Sequence, residues 1–413
     1  VATPIRKTWV VLVASVFAQA AISALQLGLP ALGPAIHLTA GFDTATIGLL
    51  FGLAGVFSAM AVIAWGQVAD RTSDRFVSVV GLLVTALALA LAAGFALAGQ
   101  YIWMGVLVVV SGISAAAPSI GIIKGMSGSF IGHPRLGLAF GIRQAAIPIG
   151  AGLAGLALPF IALQAGLGAA LLALAAALVA AGVAMAYALR HPGTHHHRVG
   201  RKGAPTNTPS TTKPSIPWRL ITPIFGAAIL LTAAQVGITA LLSLYLFTAR
   251  NWSYGGAAIA FTAVMLFSGF ERVLIGLAAD RWPRARVLMI CGFGALTAAL
   301  LLVVAVTGDQ QISAALLIIA ATTGMGWASL SVTVTVAAVP TARIGQVLGV
   351  YNASCWIGAG FSPIIIGLIV QQYGWSLGWL LLGITAICGV LVAVTRIRAV
   401  FVAPSDVVEQ TMV

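Results

Sequence analysis

Four ionisable side chains stand inside long apolar runs of this chain: Lys124, Arg143, Glu271 and Arg272. A charge at the centre of a helix in lipid costs about 2.5–3.5 kcal/mol on insertion scales, so each needs compensation or a purpose. Three cations against one acid suggest two kinds of chemistry. Arg143 or Lys124 can hold an anionic solute by charge-assisted hydrogen bonds. Glu271 is the single acid within a span, and with Arg272 beside it is the candidate proton-coupling group. Static ion pairing is the plainer alternative for all four.

Uncharged polar residues add to this set. Ser15, Gln19, Ser23 and Gln26 recur at steps of 4, 4 and 3, one face of a helix. Thr232, Gln235, Thr239 and Ser243 do the same later in the chain. Polar groups in a lipid-embedded helix face an interior or a cavity, because lipid offers no hydrogen-bond partner. The candidate substrate-contacting residues are therefore Gln19, Gln26, Lys124, Arg143, Gln144, Gln235, Thr239, Trp327, Tyr351 and Asn352. Trp327 can stack on a solute or simply pack.

These residues need helices to position them, and the composition supplies little else. Of 413 residues, 60% are hydrophobic and 7% charged, where a soluble protein carries about 25% charged. Apolar runs are predicted as twelve membrane-spanning helices, at about 8–30, 44–68, 76–98, 102–128, 137–162, 166–189, 219–247, 254–279, 286–307, 311–336, 344–371 and 375–396. The chain is an all-α polytopic membrane protein, with the lipid bilayer as its medium.

The excess of 21 Lys+Arg over 8 Asp+Glu reads as topology and not as nucleic-acid binding. Arg6, Lys7, Arg71, Arg75, Arg135, Arg281, Arg284, Arg286, Arg343, Arg396 and Arg398 fall on alternate connections, whereas Arg250 stands alone on the other side with Asp43 and Asp309. Basic loops stay cytoplasmic, which puts both termini and the middle loop inside the cell and the protein in the inner (plasma) membrane. The domains expected are 1–189, a linker at 190–218, 219–398, and a tail at 399–413. The linker is rich in Pro, Thr and basic residues and reads as flexible. Its His195, His196 and His197 read as part of that solvated loop and not as a metal site. Cys291, Cys355 and Cys388 lie in apolar runs and read as packing residues. The start of the chain does not read as a cleavable signal peptide. No cofactor or metal is expected, and a monomer suffices.

The chain also repeats itself. Ala18–Leu25 resembles Ala234–Leu241 at an offset of 216 (19 to 235). Gly66, Ala69, Asp70 and Arg71 recur as Gly276, Ala279, Asp280 and Arg281 at 210. Arg135, Gly137 and Gly141 recur as Arg343, Gly345 and Gly349, and Ile149-Gly150-Ala151-Gly152 as Ile357-Gly358-Ala359-Gly360, at 208. On this alignment Gln19 corresponds to Gln235. Two halves of six spans enter from the same side, so the repeats are parallel. Such halves enclose a site between them and rock to open it alternately to each side.

At this point the chain resembles the major facilitator superfamily, over essentially its whole length. The family pattern G-x-x-x-D-R-x-G-R-[RK] follows span two, and here Gly66, Asp70, Arg71 and Arg75 fit it, with Ser73 and Asp74 departing. The second copy keeps Gly276, Asp280, Arg281 and Arg284. The resemblance implies two six-helix bundles related by a pseudo-twofold axis. It also implies a cytoplasmic latch in which Asp70 caps a neighbouring helix and pairs with basic residues. Helices five and eight of the family fold face each other, which would make Arg143 and Glu271 an ion pair between the halves. The function expected is a secondary active transporter of a small solute, an organic anion, coupled to protons as a symporter. The runner-up is a multidrug/proton antiporter. That reading lacks the family's R-x-x-x-G in span four, where Val108 precedes Gly112, and its span-five signature is only similar around Pro148. An enzyme would need an acid pair, a His–acid pair or a metal cluster, none of which the sequence suggests. A channel would need a ring of equivalent groups.

Overall fold

The computed structural model describes residues 5–130, 136–190, 216, 218–339 and 344–394. Among these the chain is all helix. The helices are α1 Ile5–Ser23, α2 Gly33–Ala40, α3 Thr44–Arg71, α4 Asp74–Leu97, α5 Tyr101–Phe130 and α6 Leu136–Ala188. They continue with α7 Trp218–Thr248, α8 Tyr254–Arg281, α9 Arg286–Val306, α10 Gln310–Thr323, α11 Trp327–Ala337, α12 Ile344–Tyr373 and α13 Trp375–Val392.

Eleven segments among the described residues are long and apolar enough to cross a membrane. One of them, Gly141–Ala188, has 48 residues, about 72 Å as a straight helix, more than twice the ~30 Å hydrocarbon layer. It bends inside α6 at Gly166, whose φ of 84° and ψ of 169° leave the helical region. Only glycine takes that conformation cheaply. Counting the two arms separately gives the twelve crossings that the hydropathy pattern indicates.

Two spans are less regular than the sequence suggests. Span one does not stop near residue 30. It continues to Ala40 through a π turn at Ala24–Gly28, a 3₁₀ turn at Leu29–Leu32 and α2. Pro30 and Pro34 lack the N–H that a regular ladder needs. Span ten is two helices, α10 and α11, separated by a turn at Gly324–Gly326.

The chain divides into two compact units that do not follow the halves of the sequence. Unit one is Val1–Phe42, Leu53–Ser215 and Ser253–Leu266. Unit two is Asp43–Gly52, Ile216–Trp252 and Phe267–Val413. Each thus includes the start of a helix whose remainder belongs to the other. In unit one Thr262 on α8 donates from its hydroxyl to Gly152 O on α6 at 3.3 Å. In unit two a Cβ on Gly52 of α3 would meet Gly360 O of α12 at 2.5 Å. These pairs are repeat counterparts, 52 with 262 and 152 with 360.

Other fixed points show the same repeat. The Asp43 carboxylate accepts from Thr46 N–H at 2.8 Å and the Ser253 hydroxyl from Gly256 N–H at 3.0 Å, capping α3 and α8 at an offset of 210 (43 to 253). Just before these caps, Gly41 and Asn251 both have positive φ, 69° and 56°. Gly374, between α12 and α13, has φ 86° and ψ 170°, the conformation of Gly166 at an offset of 208.

The contacts correct one alignment. A Cβ on Gly28 would lie 2.5 Å from that of Ala154, and one on Gly237 would lie 2.5 Å from Ser362 Oγ. Residues 154 and 362 match at 208, so 28 matches 237, an offset of 209. Gly150 against Ala20 and Gly358 against Ile229 give the same register. The structural counterpart of Gln235 is therefore Gln26, and that of Gln19 is Ala228. The offset of 216 was a slip of seven residues.

Candidate functional site

In unit one the candidates converge on Arg143. It is buried on α6, with 6% of its surface exposed. One terminal guanidinium nitrogen donates to Gln19 Oε1 on α1 at 2.8 Å and the other to Gln144 Oε1 at 3.0 Å. Gln19 is in turn oriented by its own amide, which donates to the Ser23 hydroxyl at 3.2 Å. Gln19 and Ser23 share the face that their spacing of four predicts.

What remains unsatisfied in unit one is informative. The Arg143 Nε and the Gln26 amide nitrogen are both buried without a hydrogen-bond partner among the described residues. Both atoms are donors. The π turn at Ala24–Gly28 carries Gln26, and its extra residue per turn displaces that side chain from the regular ladder. Close packing of Gly28 on Ala154 holds the turn against α6. Lys124 is half-buried on α5 and has an interaction of its own.

Unit two is built differently at the same repeat positions. Tyr351 replaces Arg143 and is buried on α12. Its hydroxyl is bonded to that of Ser331 on α11. Ala228, where unit one has Gln19, is in the same apolar cluster as Tyr351 and Trp327. Asn352, the counterpart of Gln144, is exposed. Gln235 and Thr239 are buried on α7, and the Thr239 hydroxyl donates to Gln235 O at 3.1 Å. Trp327 is buried, and its indole N–H has no partner among the described residues.

Glu271 and Arg272 lie half-buried on α8 of unit two. Glu271 Oε2 and Arg272 Nε are buried atoms without partners among the described residues. Gly326, in the break of span ten, lies against Glu271 Oε1. Sequence reasoning named Glu271, Arg272 and Trp327 but not Gly326, nor Ser331 as the partner of Tyr351. Gly326 could not have been singled out, since glycine is common in membrane helices.

The gating residues sit at helix ends. Arg71 and Arg281 occupy the last turns of α3 and α8, and Arg71, Arg75, Arg281 and Arg284 are exposed. Gly66 and Gly276 lie one turn or more before these ends. The side chains of Asp70 and Asp280 lie outside the described residues, as do Arg135, Arg343 and the histidine run. Ser73, which departs from the family pattern, has a use here: its hydroxyl accepts from Phe76 N–H at 3.1 Å and caps α4. Asp74 then begins that helix, where a negative charge suits the helix dipole. No group of three or more metal-binding side chains occurs among the described residues.

Comparison with known proteins agrees with this architecture. The family model described as Major Facilitator Superfamily matches residues 11–363 and 224–409. An uncharacterised MFS-type transporter from two strains of Mycobacterium tuberculosis is 25% identical over 399 residues, covering 96% of this chain and 86% of the relative. Among solved structures, a bacterial homologue of the human lysosomal transporter Spinster, in an inward-facing and occupied conformation, matches with a TM-score of 0.76 at 15% identity, over 96% of this chain and 98% of that one. A POT family transporter in complex with 5-aminolevulinic acid matches at 0.75 and 14%, over 95% and 96%. The nucleoside transporter NupG matches at 0.69 and 16%, over 94% and 99%. An all-helical chain with long apolar helices, matched by the family model along most of its length, belongs to the Major Facilitator Superfamily of secondary transporters.

Proposed function

We propose that this protein transports a small organic anion by alternating access, with proton coupling through Glu271. The observation that carries the anion is the environment of Arg143. A cation 6% exposed has two neutral amide oxygens as its hydrogen-bond partners within unit one, and its Nε is unused. Burying a charge costs several kcal/mol unless an opposite charge answers it. Amide oxygens supply partial charge and fix the plane of the guanidinium, but they do not neutralise it. A carboxylate on a solute would do so, accepting from Nε.

Proton coupling follows from the same argument with the sign reversed. Glu271 has a buried oxygen without a partner among the described residues. A carboxylate there is costly, and a proton relieves that cost. Solute and proton would load together and leave together, as symport requires. The residues of the two repeated loops, Gly66 to Arg75 and Gly276 to Arg284, would act as the latch on the cytoplasmic side of the plasma membrane.

The test is a thermal-shift and binding screen of the purified protein against monocarboxylates, dicarboxylates, nucleosides, sugars and cationic drugs. Stabilisation by monocarboxylates that disappears in Arg143→Ala is the expected result. Stabilisation confined to cationic compounds would replace the anion reading with drug antiport.

A further inference from the structure

The Glu271 carboxylate lies where a helix is interrupted. Span ten runs as α10 to Thr323, turns through Gly324–Gly326 and resumes as α11 at Trp327. The turn is tight: Met325 N–H donates to Thr322 O at 3.0 Å and Gly326 N–H to Thr323 O at 3.2 Å, the i to i+3 pattern of a 3₁₀ turn. The end of α10 is tied to α9, where the hydroxyls of Thr323 and Thr297 meet at 3.1 Å.

Gly326 has φ −65° and ψ −30°, an ordinary helical conformation open to any residue. Its backbone does not need glycine, but a side chain there would displace its neighbours. A Cβ at 326 would lie 2.8 Å from Glu271 Oε1 and 2.9 Å from both Ile275 Cδ1 and Phe293 Cδ1. The missing side chain is a notch, and one carboxylate oxygen of Glu271 lies against it.

The repeat shows that the break is not a requirement of the fold. The corresponding span of unit one, α5, is continuous from Tyr101 to Phe130 although it contains Pro118. At the offset of 210 that the caps fix, the position of Glu271 is Ala61 in α3, and among the described residues α5 has no break. Among the described residues the charged group acting on the carboxylate is Arg272 on its own helix; Tyr351 on α12 interacts with Arg272, and Cys355 on α12 and Cys291 on α9 share the apolar cluster of Tyr351 and Ile275. None of them is a second acid.

We propose that Gly326 is the positioning residue for Glu271: the notch in span ten seats Oε1 and so fixes the carboxylate that takes up and releases the proton. This rests on the proton-coupling reading above. It adds that the break in span ten serves that carboxylate and is not a generic flexible point.

Infrared difference spectra of the purified protein between high and low pH test this without knowledge of the solute. The carboxyl stretch that Glu271→Gln removes is the band of interest. Gly326→Ala should shift that band in frequency and displace its pH midpoint. In a Glu271→Asp background, where the carboxylate is withdrawn by one methylene, Gly326→Ala should leave the aspartic acid band unmoved, the non-additivity expected of a direct contact. Equal shifts in both backgrounds would make Gly326 a structural residue and overturn the proposal, as would a Gly326→Ala band identical to wild type. Either of those results leaves proton coupling standing. If Glu271→Gln removes no titrating band, the coupling reading falls and the proposal with it. Should the alanine chain fail to fold, Gly326→Ala is made together with Ile275→Val, which removes one of the atoms the new Cβ meets.

Discussion

Units one and two are built on the same repeat, and they differ where chemistry is possible. Unit one gives its buried position to Arg143 and surrounds it with the neutral groups of Gln19 and Gln144. Unit two puts Tyr351 there, bonds it to Ser331, and carries its charges elsewhere, as Glu271 and Arg272 on α8. Where unit one has Gln19, unit two has Ala228, so the pair Arg143–Gln19 corresponds to Tyr351–Ala228. The scaffold repeats, and Gln26 repeats as Gln235, but the Arg143–Gln19 pair does not. On the account proposed here, that asymmetry divides the work: one unit offers donors to an anion, and the other holds the acid that carries a proton.

The largest effect that would sharpen this contrast is at Arg143. Arg143→Ala should weaken binding of a monocarboxylate about a hundredfold or more, the scale for removing one partner of a buried charged pair. Tyr351→Phe, at the equivalent position, should change it little. Equal losses in isothermal titration would erase the distinction between the units. Arg143→Lys keeps the charge but loses the planar fork that spans Gln19 and Gln144, so it should fall between.

Next come the paired kinks. Gly166→Ala and Gly374→Ala each force a side chain into a conformation that costs about 1–3 kcal/mol. The two should lower thermal stability alike, because their backbone angles agree within a few degrees. Unlike losses would mean that the units differ in scaffold as well as in chemistry.

Much of this scaffold is legible in the sequence for a simple reason. Lipid forces helices, and helices long enough to cross show as apolar runs. Even the two arms of α6 are separated, since Gly166 falls at the point where the second run begins. The alignment of spans one and seven failed for an equally physical reason. Seven residues are two helical turns, so a slip of seven keeps the polar face intact, and Gln19 fits Gln235 by composition while the glycine contacts fix Gln26 instead. The break in span ten was not legible either. Thr322-Thr323-Gly324-Met325-Gly326 contains no proline, and glycines elsewhere, such as Gly150 and Gly152 in α6, sit in unbroken helix. Only the neighbours of Gly326 distinguish it.

Smaller effects test the supports of each site. Gln19→Ala leaves a buried guanidinium N–H without its acceptor, at a cost of about 1–3 kcal/mol. It should reduce anion affinity about tenfold in the same titration. Gln235→Ala, on the other register of the repeat, should cost less. Ser331→Ala removes the partner of Tyr351 and should lower stability by about 0.5–1.5 kcal/mol, with anion affinity unchanged. A fall in affinity as large as that of Gln19→Ala would place Ser331 and Tyr351 in the anion site after all.

Transport itself separates the two roles. In proteoliposomes given a proton gradient and a monocarboxylate that binds the purified protein, wild type should accumulate the anion and also exchange it across the membrane without a gradient. Glu271→Gln should lose accumulation and keep exchange, whereas Arg143→Gln should lose both. Accumulation undiminished in Glu271→Gln, or exchange undiminished in Arg143→Gln, would contradict the division of labour between the two units.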